Sequence, residues 1–336
     1  MTTLITLESQ SDLGRVKEDL QGLGLWVQPI FNPAGLAEAL TVSAHSNRVT
    51  QDKLEAIPGV KDVLTSPSPH PLLDSTSGSI TTIQCQGRDD LSFGGSLRAV
   101  LAAGPCAAES PEQVSRTAAM VKAAGGSILR GGAFKPRTNP YSFSGHGGEA
   151  LDWLRDAATD HGLALVTEVM SEDQVDQVAS AADMLQIGSR NMQNFALLRA
   201  VGETGRPVML KRGAAATLSE WRQAAEHLLY AGAQNIIFCA RGIRGSDPET
   251  RNVLDLGGVA LLKHVDGHTV FVDPSHAAGR RELIPHLAQA ALAAGADGLL
   301  VEAHPASGQA RSDGPQALNG EELNALGKTV HSGGSK

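Results

Sequence analysis

Four residues of metal-binding type, Cys106, His276, Glu302 and Asp313, each stand at the end of a short apolar run or in the loop that follows one. One thiolate, one imidazole and two carboxylates suit a divalent first-row metal and leave room for a substrate oxygen. Their spacing is not of the CxxC kind, so the signal lies in placement. Read singly, Cys106 is equally a small buried hydrophobe, His276 a structural histidine, and Asp313 a turn residue ahead of Gly314. Together the four favour the metal. A second set is cationic: Arg130, Lys135, Arg137, Arg190, Lys211 and Arg241 follow apolar runs where basic residues, Arg212 and Arg244 among them, outnumber acidic ones. Guanidinium groups clamp carboxylate and phosphate bidentately, so this set suits a small substrate carrying both. The plainer alternative pairs each cation with a neighbouring carboxylate.

The elements that must position these residues repeat. From Leu97 onward eight apolar strands alternate with helical segments: LRAVLAA, SILRGGA, ALVTEVM, MLQIGSR, VMLKRG, NIIFCARG, TVFVDPSH and GLLVEAHP. Strands buried on both faces read as continuous apolar runs, as these do. Eight β/α units are what a (β/α)8 TIM barrel requires, and its functional side chains gather at the C-terminal ends of the strands, where both sets fall. Helix-closing glycines such as Gly125 and Gly295 fit the left-handed conformation needed at each helix-to-strand return.

Ahead of the barrel, residues 1–67 read as βαββαβ, the ferredoxin-like order. Residues 68–96 follow as a proline- and serine-rich linker and a β-hairpin, and residues 97–336 as the barrel. An α/β fold, a (β/α)8 TIM barrel preceded by a small ferredoxin-like domain, is therefore expected.

Composition narrows the function classes. The chain has 336 residues, 41% hydrophobic and 19% charged, which is ordinary for a globular protein and not for a disordered one. Its net charge of −8 argues against nucleic-acid and anionic-membrane surfaces, so any anion site must be local. Three cysteines are too few and odd in number for a secreted disulfide scaffold. The start, MTTLITLESQSDLG, is acidic where a signal peptide is basic, and no apolar run approaches the ~20 residues of a membrane span. A cytoplasmic location is expected. A metal-dependent hydrolase on the same barrel would want several early histidines, whereas His276 and His304 come late; an intact metal set speaks against a non-catalytic binding module.

With these residues in place, the chain resembles the 3-deoxy-D-arabino-heptulosonate 7-phosphate (DAHP) synthases, and among them the type I-beta subgroup. The resemblance is tightest in AGPCAAE, LRGGAFKPRTNPYSF, TEVM, QIGSRNMQNF, LKRG, TRNVLDL, VDPSHAAGRR, AAGADGLLVEAHP and SDGPQ. It implies condensation of phosphoenolpyruvate with erythrose 4-phosphate, the entry to the shikimate pathway and aromatic amino acid biosynthesis. It implies phosphoenolpyruvate held by Arg130, Lys135, Arg190, Lys211 and Arg241, and the erythrose 4-phosphate phosphate by Arg137 and Thr138. Lys135, Cys106 and His276 are the implied catalytic residues, with Lys135 able to supply a proton. The implied cofactor is a divalent metal on Cys106, His276, Glu302 and Asp313, Mn2+ first, with Fe2+, Co2+ or Zn2+ as alternatives. The implied partners are small phosphorylated substrates, an aromatic amino acid effector at a regulatory N-terminal domain, and further copies of the chain in a homo-oligomer. Cys239-Ala240-Arg241-Gly242 departs from the family's CERG, and Asn139 stands where a Ser is usual, so the aldehyde is the open point. The alternatives are a 3-deoxy-octulosonate 8-phosphate synthase or a secondary-metabolite homologue using another aldehyde.

Overall fold

The computed structural model describes residues 3–85, 89–135, 139 and 141–332. Two compact units form, Met1–Pro71 and Leu72–Lys336. In the first, β1 (Thr3–Leu7), α1 (Leu13–Gly22), β2 (Val27–Phe31), β3 (Ala37–Val42), α2 (Gln51–Glu55) and β4 (Val60–Thr65) make an antiparallel sheet of order β2-β3-β1-β4. Alternation decides which face is covered. Ile5 and Leu7 of β1, Leu40 of β3, and Val60 and Val63 of β4 are buried in one cluster with Val16 and Leu20 of α1 and Leu54 of α2.

The second unit opens within a short helix, α3 (Pro71–Ser75), inside the stretch read from sequence as linker. It forms because Leu73 is 1% exposed within the barrel's core cluster and because Glu226 accepts hydrogen bonds from the Leu72 and Leu73 backbone N–H groups at 3.0 and 2.8 Å. Neither partner is close in sequence, which is why local composition missed it.

The hairpin β5 (Thr81–Ile83) and β6 (Leu91–Phe93) does not stand between domains but plugs the bottom of the barrel. Ile83 and Phe93 are fully buried among Ala102, Ile128, Met209 and Phe271, with the Phe93 and Phe271 rings 5.1 Å apart. Gly78 N–H donates to Gly267 O at 2.8 Å, ahead of a barrel strand, so the plug lies at the N-terminal end. The opposite rim is left for polar residues.

That barrel is closed and parallel. Its strands are β7 (Val100–Gly104), β8 (Ile128–Arg130), β9 (Ala164–Val169), β10 (Met184–Ile187), β11 (Val208–Lys211), β12 (Ile236–Ala240), β13 (Val270–Val272) and β14 (Gly298–Glu302), and β14 pairs back with β7. The helices between them are α4 (Pro111–Ala123), α5 (Gly148–Asp160), α6 (Val175–Ala181), α7 (Phe195–Glu203), α8 (Leu218–Tyr230), α9 (Leu256–Ala260), α10 (Pro274–Ala278), α11 (Ile284–Ala293) and, last, α12 (Gly320–Ser332). In α4 the helical spacing of Val114, Ala118 and Val121 buries one stripe against the strands. Ser110 caps it by accepting from the Gln113 N–H at 3.1 Å, and Pro111 stands at the first helical position. Gly125 and Gly295, which follow α4 and α11, have φ of 75° and 98°, as their place predicts. With the strands buried between this outer layer and the filled interior and the N-terminal end plugged, the loops that follow their C-terminal ends are left to form a polar rim.

Candidate active site

The strand ends bring the metal-type residues together. Single donor atoms of Cys106, Glu302 and Asp313 all lie within 4.8 Å of one another. Cys106 Sγ is 3.1 Å from Asp313 Oδ2 and 3.1 Å from Ser312 Oγ. Asp313 holds a left-handed conformation, φ 52°, which Asp tolerates, so it is a turn residue and a member of the cluster at once. His276 meets the cluster through Glu302, with Nε2 3.4 Å from Oε1.

Cys106 is carried by the bend after β7, and Gly104 makes that bend possible. A Cβ on Gly104 would sit 1.9 Å from the Arg130 carbonyl oxygen, so only glycine lets the chain turn against β8 there.

Asp273, at the end of β13, organises much of the rest. It caps α10, accepting from the His276 N–H at 2.9 Å through Oδ1, while its Oδ2 contacts His276 Nδ1 at 2.7 Å and Lys211 Nζ at 2.6 Å. Burial works to raise its pKa, but His276 and Lys211 overcome this and hold it well below the usual carboxylate range. Burial lowers the His276 pKa against the pull of Asp273, so the imidazole is neutral near neutral pH. A neutral ring donating from Nδ1 to Asp273 presents a lone pair at Nε2 to another acceptor, the Glu302 carboxylate. Two acceptors facing each other call for a cation, and a carboxylate behind a histidine is a recurrent support for a metal ligand.

The thiol points the same way. Burial, with Glu302 next in weight, pushes the Cys106 thiol up to about 12. Burial would raise Glu302 too, yet His276 and Arg130 hold it below its ordinary value. Converging acidic donors that disfavour one another's charge are reconciled by a divalent cation, so the donor set fits the metal that the sequence implied.

The cations separate into two kinds. Arg130 and Lys211 are buried and engaged: Arg130 Nη1 donates to Pro105 O at 3.0 Å and Glu302 Oε1 at 3.1 Å, and Lys211 is paired with Asp273. Arg190 and Arg241 make no ion pair among the described residues. Burial lowers the Arg241 pKa against the pull of Asp273, and Arg251 and Arg190 add to the lowering. Like charges held near one another with no ion-pair partner among the described residues are a candidate anion subsite. Lys135 Nζ donates to Cys106 O at 2.9 Å, placing it at the edge of the metal cluster. Arg137 and Thr138 lie outside the described residues.

For Arg212 the plainer alternative holds. It pairs with Asp255 at 2.6 Å and lies over the Trp221 ring, 5.7 Å from its centroid, so it belongs to the outer packing layer. Two residues near the site were missed from sequence, Arg251 and Gln316. They sit in the motifs TRNVLDL and SDGPQ but in turns rather than at strand ends, and those motifs are the only sequence signal that pointed to them.

Comparison with known proteins agrees with this fold. A family model, the DAHP synthetase I family, matches residues 78–334. The phospho-2-dehydro-3-deoxyheptonate aldolase of Thermotoga maritima is 41% identical over 278 residues, covering 83% of this chain and 81% of that protein. The 2-dehydro-3-deoxyphosphooctonate aldolase of Albidiferax ferrireducens is more distant, 31% identical over 254 residues, 68% of this chain and 88% of that one. A crystal structure of the Thermotoga maritima DAHP synthase superposes with a TM-score of 0.76 at 35% identity, covering 98% of this chain and 96% of that chain. A truncated form of the same organism's enzyme gives 0.68 at 38% identity, over 76% of this chain and 92% of that one. A closed barrel, a family match over most of the chain and a 41% identical relative therefore agree, and the chain belongs to the DAHP synthetase I family.

Proposed function

We propose that this protein condenses phosphoenolpyruvate with D-erythrose 4-phosphate to give 3-deoxy-D-arabino-heptulosonate 7-phosphate and inorganic phosphate. The observation that carries the reading is the Cys106, Glu302 and Asp313 cluster on the barrel rim that also carries Arg190 and Arg241, which make no ion pair among the described residues. Cys106, His276, Glu302 and Asp313 would hold a divalent ion, which would supply Lewis acidity to polarise the aldehyde. Mixed sulfur, nitrogen and oxygen donors suit Mn2+ and also accommodate Fe2+, Co2+ or Zn2+.

The chain's own groups do the rest. Arg190 and Arg241 receive the phosphate of phosphoenolpyruvate, with Arg130, Lys135 and Lys211 completing the pocket for its carboxylate and phosphate. Arg137 and Thr138, by resemblance, receive the phosphate of the aldose. Holding the two anions in register supplies a large part of the rate. C3 of phosphoenolpyruvate bonds to the aldehyde carbon as its C2=C3 bond opens, C2 becomes electron-deficient, and water adds there with loss of one proton; the C2–O bond to phosphate then breaks as the new C2 hydroxyl gives up its proton to the departing phosphate and becomes the ketone. Lys135, at the edge of the cluster, delivers a proton to the former aldehyde oxygen, which becomes the new hydroxyl.

The aldehyde is the point to test first, because 2-dehydro-3-deoxyphosphooctonate aldolases share the fold family. With equimolar erythrose 4-phosphate and arabinose 5-phosphate, the seven-carbon product is expected to dominate by mass spectrometry. Dominance of the eight-carbon product would transfer the chain to the sister activity.

We read the N-terminal unit as a regulatory module for an aromatic amino acid, in a cytoplasmic homo-oligomer. The reading is supported by the family resemblance, and a reducing compartment suits the free thiol of Cys106. No described helix is long and apolar enough to cross a membrane. Leu73 belongs to the barrel core, so a truncation should remove residues 1–70 and keep it. That shortened chain is expected to retain turnover and lose any response to Phe or Tyr. A full-length protein equally indifferent to both amino acids would remove the regulatory reading.

A further inference from the structure

We infer that Gln316, tied to Arg251, is a positioning residue that sets which oxygen of Glu302 is presented to the metal; the inference rests on the metal-dependent reading above. Glu302 is 1% exposed, and its two oxygens have different partners. Oε1 faces Arg130 Nη1 at 3.1 Å and His276 Nε2 at 3.4 Å. Oε2 accepts from Gln316 Nε2 at 2.6 Å. Gln316 is itself buried, 3% exposed.

The orientation of the Gln316 amide is decided by its other neighbour. Arg251 Nη1 donates to Gln316 Oε1 at 3.2 Å, and arginine has no acceptor to offer. The oxygen must therefore face Arg251, and the NH2 group must face Glu302. Arg251 Nη1 also lies 3.5 Å from Asp313 Oδ1. One guanidinium thus steadies Asp313 directly and Glu302 through the amide.

The backbone ties this relay to the remaining elements of the site. Gln316 N–H donates to Asp313 O at 3.1 Å, so a single turn provides one metal-binding carboxylate and orients another. Arg251 and Asn252 donate from their backbone N–H groups to Ala278 O and Ala277 O at 3.0 and 2.8 Å, and Asn252 Nδ2 donates to His276 O at 2.9 Å. The segment carrying Arg251 is therefore pinned to α10, which carries His276. Glu302, Asp313 and His276 share one hydrogen-bonded support.

Removing such a support misorients a ligand and typically costs about 10- to 100-fold in metal affinity. Gln316→Met keeps the length of the side chain and removes both its donor and its acceptor, leaving Glu302 Oε2 buried without a partner. The test is Co2+ titration of the metal-stripped full-length protein, read by its d–d bands and by the thiolate-to-cobalt charge-transfer band that Cys106 provides. Gln316→Met is expected to raise the Co2+ Kd by about 10- to 100-fold and to change the d–d bands. Arg251→Met, at an exposed position less able to disturb folding, is expected to raise it by about tenfold. A lower melting temperature of the metal-free variants with the wild-type Co2+ Kd and spectrum would mean a merely structural role and would overturn the inference. Wild-type protein that binds no Co2+ would instead remove the metal-dependent reading itself, and the inference with it.

Discussion

Cys106→Ala is expected to cut phosphate release from phosphoenolpyruvate and erythrose 4-phosphate by about a thousandfold, the rate equivalent of the several kcal/mol that a Lewis acid contributes. The substitution removes the one sulfur donor from a cluster whose other members, Glu302 and Asp313, carry most of the negative charge. Its effect on folding should be small, because the thiol is a small buried group and alanine leaves little void. In the metal-free protein the thiol, pushed up to about 12, is protonated at neutral pH. A thiolate is needed for binding, so affinity for the ion should rise with pH as the proton is displaced. A chelator should reproduce the loss in the wild-type enzyme, and added Mn2+ should reverse it there but not in the variant. Comparing initial rates before and after chelation, and after Mn2+, checks both statements. Full activity of Cys106→Ala would remove the thiol from the site.

Lys135→Met is the second large effect, and it should fall on a different step. Its Nζ is 2.9 Å from Cys106 O, while its backbone N–H donates to Ser144 O at 3.0 Å. A Phe134–Gly145 bridge holds the same short antiparallel pairing, so the ammonium is aimed by backbone geometry and not by another ligand. Loss of a positioned general acid costs about 10²- to 10⁴-fold in kcat. Affinity for the metal should change little, because the amine is not one of the donors. Measuring kcat and Co2+ Kd on the same preparation separates the two: a fall in kcat at constant Kd supports proton delivery, and a parallel loss of both would make Lys135 a support of the metal cluster.

Much of this site was legible in the sequence because the barrel translates position into location. Strands such as Ile236–Ala240 are buried on both faces and so read as unbroken apolar runs, and whatever follows them must arrive at one rim. Cys106, Glu302 and Asp313 converge for that reason although 207 residues separate the thiol from Asp313. What local pattern could not carry was the choice of partner. Arg130, Lys211 and Arg212 look alike as basic residues at strand ends, yet Glu302, Asp273 and Asp255 engage them in the folded chain. Arg190 and Arg241 are distinguished only by having no such partner among the described residues. Arg251 and Gln316 lie in short turns, and their roles depend on the hydrogen bond from Gln316 to Glu302 and the ion pair of Arg251 with Asp313, which exist only after closure of the barrel. The helix at Pro71–Ser75 was hidden for the same reason, since its stabilising carboxylate, Glu226, comes from α8.

The most direct measurement is phosphate release by the purified full-length protein, stripped of metal and then assayed with each combination of phosphoenolpyruvate, erythrose 4-phosphate and Mn2+. Phosphate should appear only when all three are present, in equal amount to a seven-carbon 3-deoxy sugar-acid phosphate. No release with all three, or release that persists after metal removal, would contradict the account.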